Sequence, residues 1–118
     1  FTTASFISKA IAIPSPVAGD NVSLFFTDTD VTVRKVSSVL QGIANSNVVF
    51  TIKSAEVRSN ATPKLMNTAG FVCANTAQGV HIVTFDQPRI NANSWVWVTT
   101  SFANGGTTEL AITISYGQ

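Results

Sequence analysis

The chain has one cysteine and one histidine, Cys73 and His81, eight residues apart. From adjacent strands they could face each other. An imidazole beside a thiol can take its proton and leave a thiolate nucleophile. Such a site also needs an oxyanion hole and a cleft, and no motif supplies them. A buried structural cysteine is the expected reading of Cys73. The serines offer no better chemistry, because no Gly-x-Ser-x-Gly elbow occurs and His81 is the sole imidazole. One thiol cannot form an intrachain disulfide, and a zinc site within one chain lacks ligands. Asp28 and Asp30, with Asp20 and Asn21 nearby, carry oxygens that calcium could use. The twelve-residue calcium loop is absent, however, and Asp is a common turn residue. Turn chemistry is therefore the expectation. No catalytic residue, cofactor or metal is expected, and the chain reads as a non-enzyme.

Trp95 and Trp97 are two residues apart, so on a strand both rings leave the same face. Exposed, they would form a platform for a sugar or a partner surface. Buried, they are core, and this is the expected reading. Tyr116 is expected to extend their cluster from a neighbouring hairpin strand. Arg34, Lys35, Lys53, Arg58 and Lys64 gather in the middle of the sequence. They could touch an acidic surface, but a solvated sheet edge is expected, where lysine also blocks unwanted strand pairing. Asn21-Val22-Ser23 and Asn60-Ala61-Thr62 fit the glycosylation sequon, a pattern common by chance.

These residues sit in a chain of 118, a length that suggests one domain. At this size roughly two-thirds of the unfolded surface can be buried. Charged residues make up 11% and apolar residues 45%, which excludes a disordered tail. The net charge of +1 gives no basic surplus for nucleic-acid binding. No stretch approaches ~18 apolar residues, so no membrane span is expected, and no signal peptide is apparent. Phe1 rather than Met opens the chain. Something upstream is therefore expected to have been cleaved or to lie outside this numbering.

The dominant hydrophobic period is two, the mark of strands. Val48, Phe50 and Ile52 alternate with Val49, Thr51 and Lys53; Leu110, Ile112, Ile114 and Tyr116 alternate with Ala111, Thr113 and Ser115. Val31, Val33 and Val36 alternate with a one-residue slip at Arg34-Lys35, a candidate β-bulge. Strands are expected at about 6–13, 21–27, 31–41, 47–57, 63–66, 70–74, 79–86, 94–101 and 108–117. Turn residues separate them at Pro14 to Asp20, Asp28 to Asp30, Asn45 to Asn47, Asn60 to Pro63 and Asn75 to Gly79. Asn104-Gly105-Gly106 predicts a hairpin joining the Trp strand to the last strand. The expected fold is all-β: an antiparallel β-sandwich, jelly-roll-like, of about eight or nine short strands. Residues 1–13 are expected as a first strand or a detached arm, with 14–118 forming the sandwich. As an arm, Phe6, Ile7, Ile11 and Ile13 would need burial on a neighbour. Several strands are apolar on both faces, including Trp95 to Val98, so loops or another subunit must cover the second face.

The segment from Ile13 to Phe25, IPSPVAGDNVSLF, resembles the opening of a small β-sandwich domain of tailed-bacteriophage virion proteins. Val31 to Val36, Val48 to Ile52 and Arg58-Ser59 continue the resemblance, as does Ile90-Asn91-Ala92-Asn93-Ser94-Trp95-Val96-Trp97-Val98, a turn leading into a Trp-containing strand. Leu110 to Tyr116 is similar to that family's closing strand. Where the family has Pro and Gly before the Trp strand, this chain has Asn91 and Asn93, which also suit a turn because Asn tolerates left-handed backbone. The resemblance implies a capsid decoration or cement protein, or a head- or tail-fibre module, on the virion exterior. It implies copies of the chain itself as partners, with a trimer favoured, docked on a capsid or fibre protein. A tip that binds a cell-surface glycan through Trp95 and Trp97 is an alternative. So is a filament subunit in which residues 1–13 complete the next copy.

Overall fold

A computed structural model describes residues 7–42, 46–74, 77–104 and 106–117. Phe6 and parts of the turns expected around Asn45, Asn75 and Gly105 lie outside the described residues. Ten strands follow in chain order: β1 (Ile7–Pro14), β2 (Asn21–Thr27), β3 (Val31–Gly42), β4 (Asn47–Ala55), β5 (Lys64–Leu65), β6 (Phe71–Ala74), β7 (Val80–Ile82), β8 (Arg89–Ile90), β9 (Ser94–Ala103) and β10 (Thr107–Gly117). The first sheet runs β1-β10-β3-β7, with β8 also on β3; the second runs β2-β9-β4-β5, with β6 also on β4. All strand pairs are antiparallel. The two sheets pack as an all-β sandwich.

The alternating residues fill the space between the sheets. Val31, Val33, Val36 and Leu40 from β3 meet Leu110, Ile112, Ile114 and Tyr116 from β10 on one side, and Val48, Phe50, Ile52, Val96 and Val98 line the other. Phe50 stacks on Phe71 at 5.3 Å, and Phe71 touches Phe85 at 6.2 Å. The slip at Arg34 is a bulge: Lys35 pairs with Ser115 and Val33 with Tyr116, so Arg34 has no partner in the ladder. The extra residue keeps valines on both sides of it facing the core. A second bulge explains the consecutive Leu24, Phe25 and Phe26. The β2–β9 register skips Leu24, which turns Phe25 inward and Phe26 outward.

Three expectations need correction. Asn104-Gly105-Gly106 does not close a hairpin, because β9 and β10 belong to different sheets. Asn104 instead ties down β4: its N–H donates to the Asn47 carbonyl at 3.1 Å and its Oδ1 accepts the Asn47 N–H at 2.8 Å. Turn residues specify a reversal of direction, and a reversal into the facing layer uses the same chemistry. Residues 79–86 are not one strand. β7 ends at Ile82, and the chain then leaves the sheet while Phe85 packs on the core. The pair at Arg89–Ile90 was too short to show a period.

Asp30 fastens the turn before β9 to the β2–β3 connection. Its Oδ1 accepts the Ala92 N–H at 2.8 Å and its Oδ2 pairs with Arg89 at 2.6 Å. The Ala92 bond, then the Arg89 guanidinium, hold its carboxyl below the usual Asp range. A depressed carboxylate stabilises the fold above the unfolded value of about 3.9, and that contribution disappears as pH falls through the native value. Asp30→Asn should therefore flatten the loss of melting temperature between about pH 5 and pH 2 relative to wild type. The effect is small because both side chains are exposed. Equal slopes for the two proteins would refute this role.

Candidate functional site: an aromatic sheet face

Sequence reasoning offered Cys73 with His81, the acidic turn and the Trp pair. The structure separates the first two. Cys73 points into the core from β6 of the second sheet, whereas His81 is exposed on β7 of the first. The His81 Nδ1 meets Ser37 Oγ at 2.8 Å. Burial pushes the Cys73 thiol pKa up, and a hydrogen bond involving Ser38 only partly offsets this. Such a thiol is a core side chain and a poor nucleophile. The carboxylates of the acidic turn also fail to converge. Asp30 is engaged by Arg89 and Ala92, and Asp20 Oδ2 accepts the Val17 N–H at 2.8 Å. Among the described residues, no group of three or more His, Cys, Asp or Glu could hold a metal.

Trp97 is buried as expected and Trp95 is not, and neither lies in the core between the sheets. Val96 and Val98 fill the sandwich, so Trp95 and Trp97 occupy the outer face of the second sheet. Trp97 is only 3% exposed because a cation covers it. The Arg58 guanidinium lies 4.4 Å from the ring centroid. It is held there by bonds from Nε to Ser23 Oγ at 3.0 Å and from Nη2 to Asn21 Oδ1 at 2.5 Å. This accounts for Asn21, the first sequon residue, and for Arg58. The basic cluster is likewise divided: Arg34 and Lys35 sit at the β3 bulge of the other sheet, and Lys64 Nζ donates to the Arg89 carbonyl at 2.6 Å. Asn60 Oδ1 of the second sequon accepts the Thr62 N–H at 2.9 Å.

Trp95 remains 41% exposed, opposite Phe26 on β2, itself 46% exposed. Their rings are tilted at 5.0 Å. Ala55 faces Trp95 from β4, and exposed Val57 follows it. At the other end of the same face, exposed Phe102 and Val72 flank Val49. Five of the large exposed apolar side chains thus lie on or beside one sheet surface. Its opposite number, the outer face of β1-β10-β3, carries mostly small or charged residues: Ser8, Ala10, Ala12, Glu109, Ala111, Thr113, Ser115, Ser37 and Lys35, with Val39 half-buried. A shallow cavity of about 370 Å³ adjoins the aromatic end, lined by Ser54, Ala55, Glu56, Val57, Asn60, Lys64, Asn91 and Ser94. Asn93, in the turn that sets up β9, has the left-handed backbone expected of it, with φ 61°.

Tyr116 does not extend the Trp cluster. It is buried between the sheets and stacks on Phe25 at 5.0 Å. Burial raises its phenol pKa. Ile13 is buried, Ile11 is partly buried, and Ile7 is 52% exposed on β1, which pairs with β10 from Ile7 to Pro14. Sequence reasoning did not single out Phe26, Val57, Phe102 or Val72 for a surface. For Phe26 the signal was the three-residue apolar run, which alternation permits only with a bulge.

Comparison with protein-family models and with curated proteins finds no match. Among solved structures, a chain in the acid-stable capsid of Helicobacter pylori bacteriophage KHP30 is similar, with a TM-score of 0.62 and 12% identity. The alignment covers 98% of this chain and 90% of that one. The likeness shows the fold. A chain from Bacillus endospore appendages, described as a novel family of disulfide-linked pili, aligns over 98% of this chain and 91% of that one at 14% identity. Its TM-score of 0.37 is too low to carry an argument.

Proposed function

We propose that the chain is a non-enzymatic structural subunit of a virion, a decoration or fibre module that docks through the outer face of its second sheet. The observation that carries this reading is the one-sided exposure of Phe26, Trp95, Val57, Phe102 and Val72. Exposed aromatic side chains gathered on one face mark an interaction surface. Two things support the virion setting: the fold shared with a chain of a phage capsid, and the resemblance of the strand-and-turn segments. Strands β1 to β4 alternate between sheets, and β9 and β10 return between them. That order supports a jelly-roll reading of the sandwich.

Geometry limits what this face can do alone. Ten residues of β9 span about 33 Å, and the sheet is roughly 15–20 Å wide. The face therefore offers on the order of 600 Å², less than the ~800 Å² per partner of a stable complex. The exposed aromatic residues must supply most of the affinity. Replacing both Phe26 and Trp95 by Ser should weaken co-sedimentation with virions by about 30-fold if one of them is a hot spot of about 2 kcal/mol, and by roughly 900-fold if both are and their effects add. Undiminished binding by the double variant would remove this face from the model. If wild type ignores virions and a glycan quenches Trp95 fluorescence instead, the sugar-binding reading takes over. The cavity that adjoins this end of the face, with Glu56, Asn60, Lys64 and Asn91 in its lining, is the feature that favours it.

A further inference from the structure

Sheet edges invite pairing with other chains, and proteins blunt them with short strands, bulges or charges. Three of the four ends of this sandwich are blunted. β5, β6, β7 and β8 are two to four residues long, and β2 is bulged at Leu24. β1 is different: eight residues in unbroken register with β10, and no neighbour on its other side among the described residues.

The direction of its hydrogen bonds follows from Pro14, which has no N–H. In an antiparallel ladder, pairs that exchange N–H···O bonds alternate with pairs that do not. Pro14–Glu109 must be of the second kind, and the Ser15 N–H donates to the Thr108 carbonyl at 2.8 Å as that requires. Counting back by twos, Ala12, Ala10 and Ser8 turn their N–H and C=O groups away from β10, toward the open edge. All three residues are exposed.

The geometry points to a second copy of this chain as the partner of that edge, paired antiparallel to itself about a twofold axis through Ala10. Ala10 then faces Ala10 of the second copy, and Ser8 faces Ala12 in both directions. These three facing pairs exchange two ladder bonds each. On the core side, exposed Ile7 meets Ile13 of the second copy, and Lys9 lies across from Ile11. The two nearest registers are worse. Centring on Ile11 brings in Pro14, which has no donor. Centring on Lys9 sets two ammonium groups against each other.

An antiparallel edge contact has its twofold axis perpendicular to the sheet, so the two first sheets merge into one layer. Both second sheets lie on the same side of it. The dimer would therefore present both aromatic faces to one surface, a bivalent arrangement that compensates for the small footprint of each. This last consequence rests on the docking role proposed above, whereas the edge contact itself does not. The contact is twofold, which sets it apart from the threefold assembly that the family resemblance implies.

The test is the molar mass of the chain by light scattering after size exclusion, with three variants. Wild type should approach twice 12.5 kDa as concentration rises. Ala10→Pro removes an N–H that β10 does not use, so it should keep the wild-type circular dichroism and run near 12.5 kDa. Ala10→Cys places two Cα atoms about 5.5 Å apart at the axis, within disulfide reach, and mild oxidation should yield a covalent dimer. Ala12→Cys should not crosslink, because its counterpart lies about 13 Å away along the strands. Cys73 is buried and silent in this assay. An Ala10→Pro protein with wild-type mass would overturn the proposal. So would an Ala10→Cys protein that stays uncrosslinked while Ala12→Cys crosslinks, or a wild type that is monomeric at every concentration with Ala10→Cys uncrosslinked. None of these results bears on virion co-sedimentation, so edge and docking face fail separately.

Discussion

Phe50→Ala should cost about 3–5 kcal/mol of folding stability, enough to leave the domain barely folded at 25 °C. Phe50 is completely buried at the middle of β4, between the two sheets. Its ring stacks on Phe71, which in turn braces Phe85 on the connection after β7. Truncation removes the transfer energy of the ring and leaves a hole that flanking strands cannot close, because the ladders on both sides fix their separation. Urea denaturation followed by tryptophan fluorescence would measure it. A loss under about 1 kcal/mol would mean that the sandwich collapses around the gap and that its core is far softer than this packing implies.

The second large effect is a contrast between two single deletions in β3. Deleting Ser37 should abolish cooperative folding, whereas deleting Arg34 should cost on the order of 1 kcal/mol. A one-residue slip exchanges the inward and outward sets of a strand. Without Ser37, either Leu40 turns outward, or the bulge absorbs the change and drives Lys35 into the core in place of Val36. Arg34 is the bulge residue itself, with no ladder partner. Its removal leaves Val31, Val33 and Val36 on the core face in plain alternation. Circular dichroism and urea melts of the two proteins decide the matter. If both unfold alike, the bulge is needed for more than register.

The same bulge illustrates what the sequence could reveal. Alternation is a local signal, and a break in it points to a local cause. The Arg34-Lys35 slip, the limits of β2 and the left-handed Asn93 were all legible for that reason. Which layer receives a strand is not local. Asn104 and Gly106 bound a reversal that serves a hairpin or a crossing between sheets equally well, and only the placement of β10 between β1 and β3 decides it. The Trp strand was ambiguous from the start. Trp95, Val96, Trp97 and Val98 are apolar on both faces, and ring size suggested that the tryptophans were inside. The smaller valines fill the narrow gap between the sheets, and the rings go outside, where Arg58 covers one of them. That cover comes from a residue 39 positions away in the chain, with Asn21 and Ser23 holding it, and no spacing rule connects these residues.

The wiring of the two sheets also bears on how the chain is made. β1 has β10 as its neighbour, and β2 has β9. The two long strands between them, β3 and β4, take their longest pairings from β10 and β9 as well. A ribosome delivers these partners after the strands they pair with. Until β9 and β10 emerge, β1 and β2 lack their ladder partners and β3 and β4 have only the short β5 to β8 to pair with, and β-rich chains with distant contacts fold slowly. Both layers are completed only when β9 and β10 are available to thread them. The burden of keeping the first four strands from self-associating during that interval falls on the charges and prolines between them and on the chaperones of the cell.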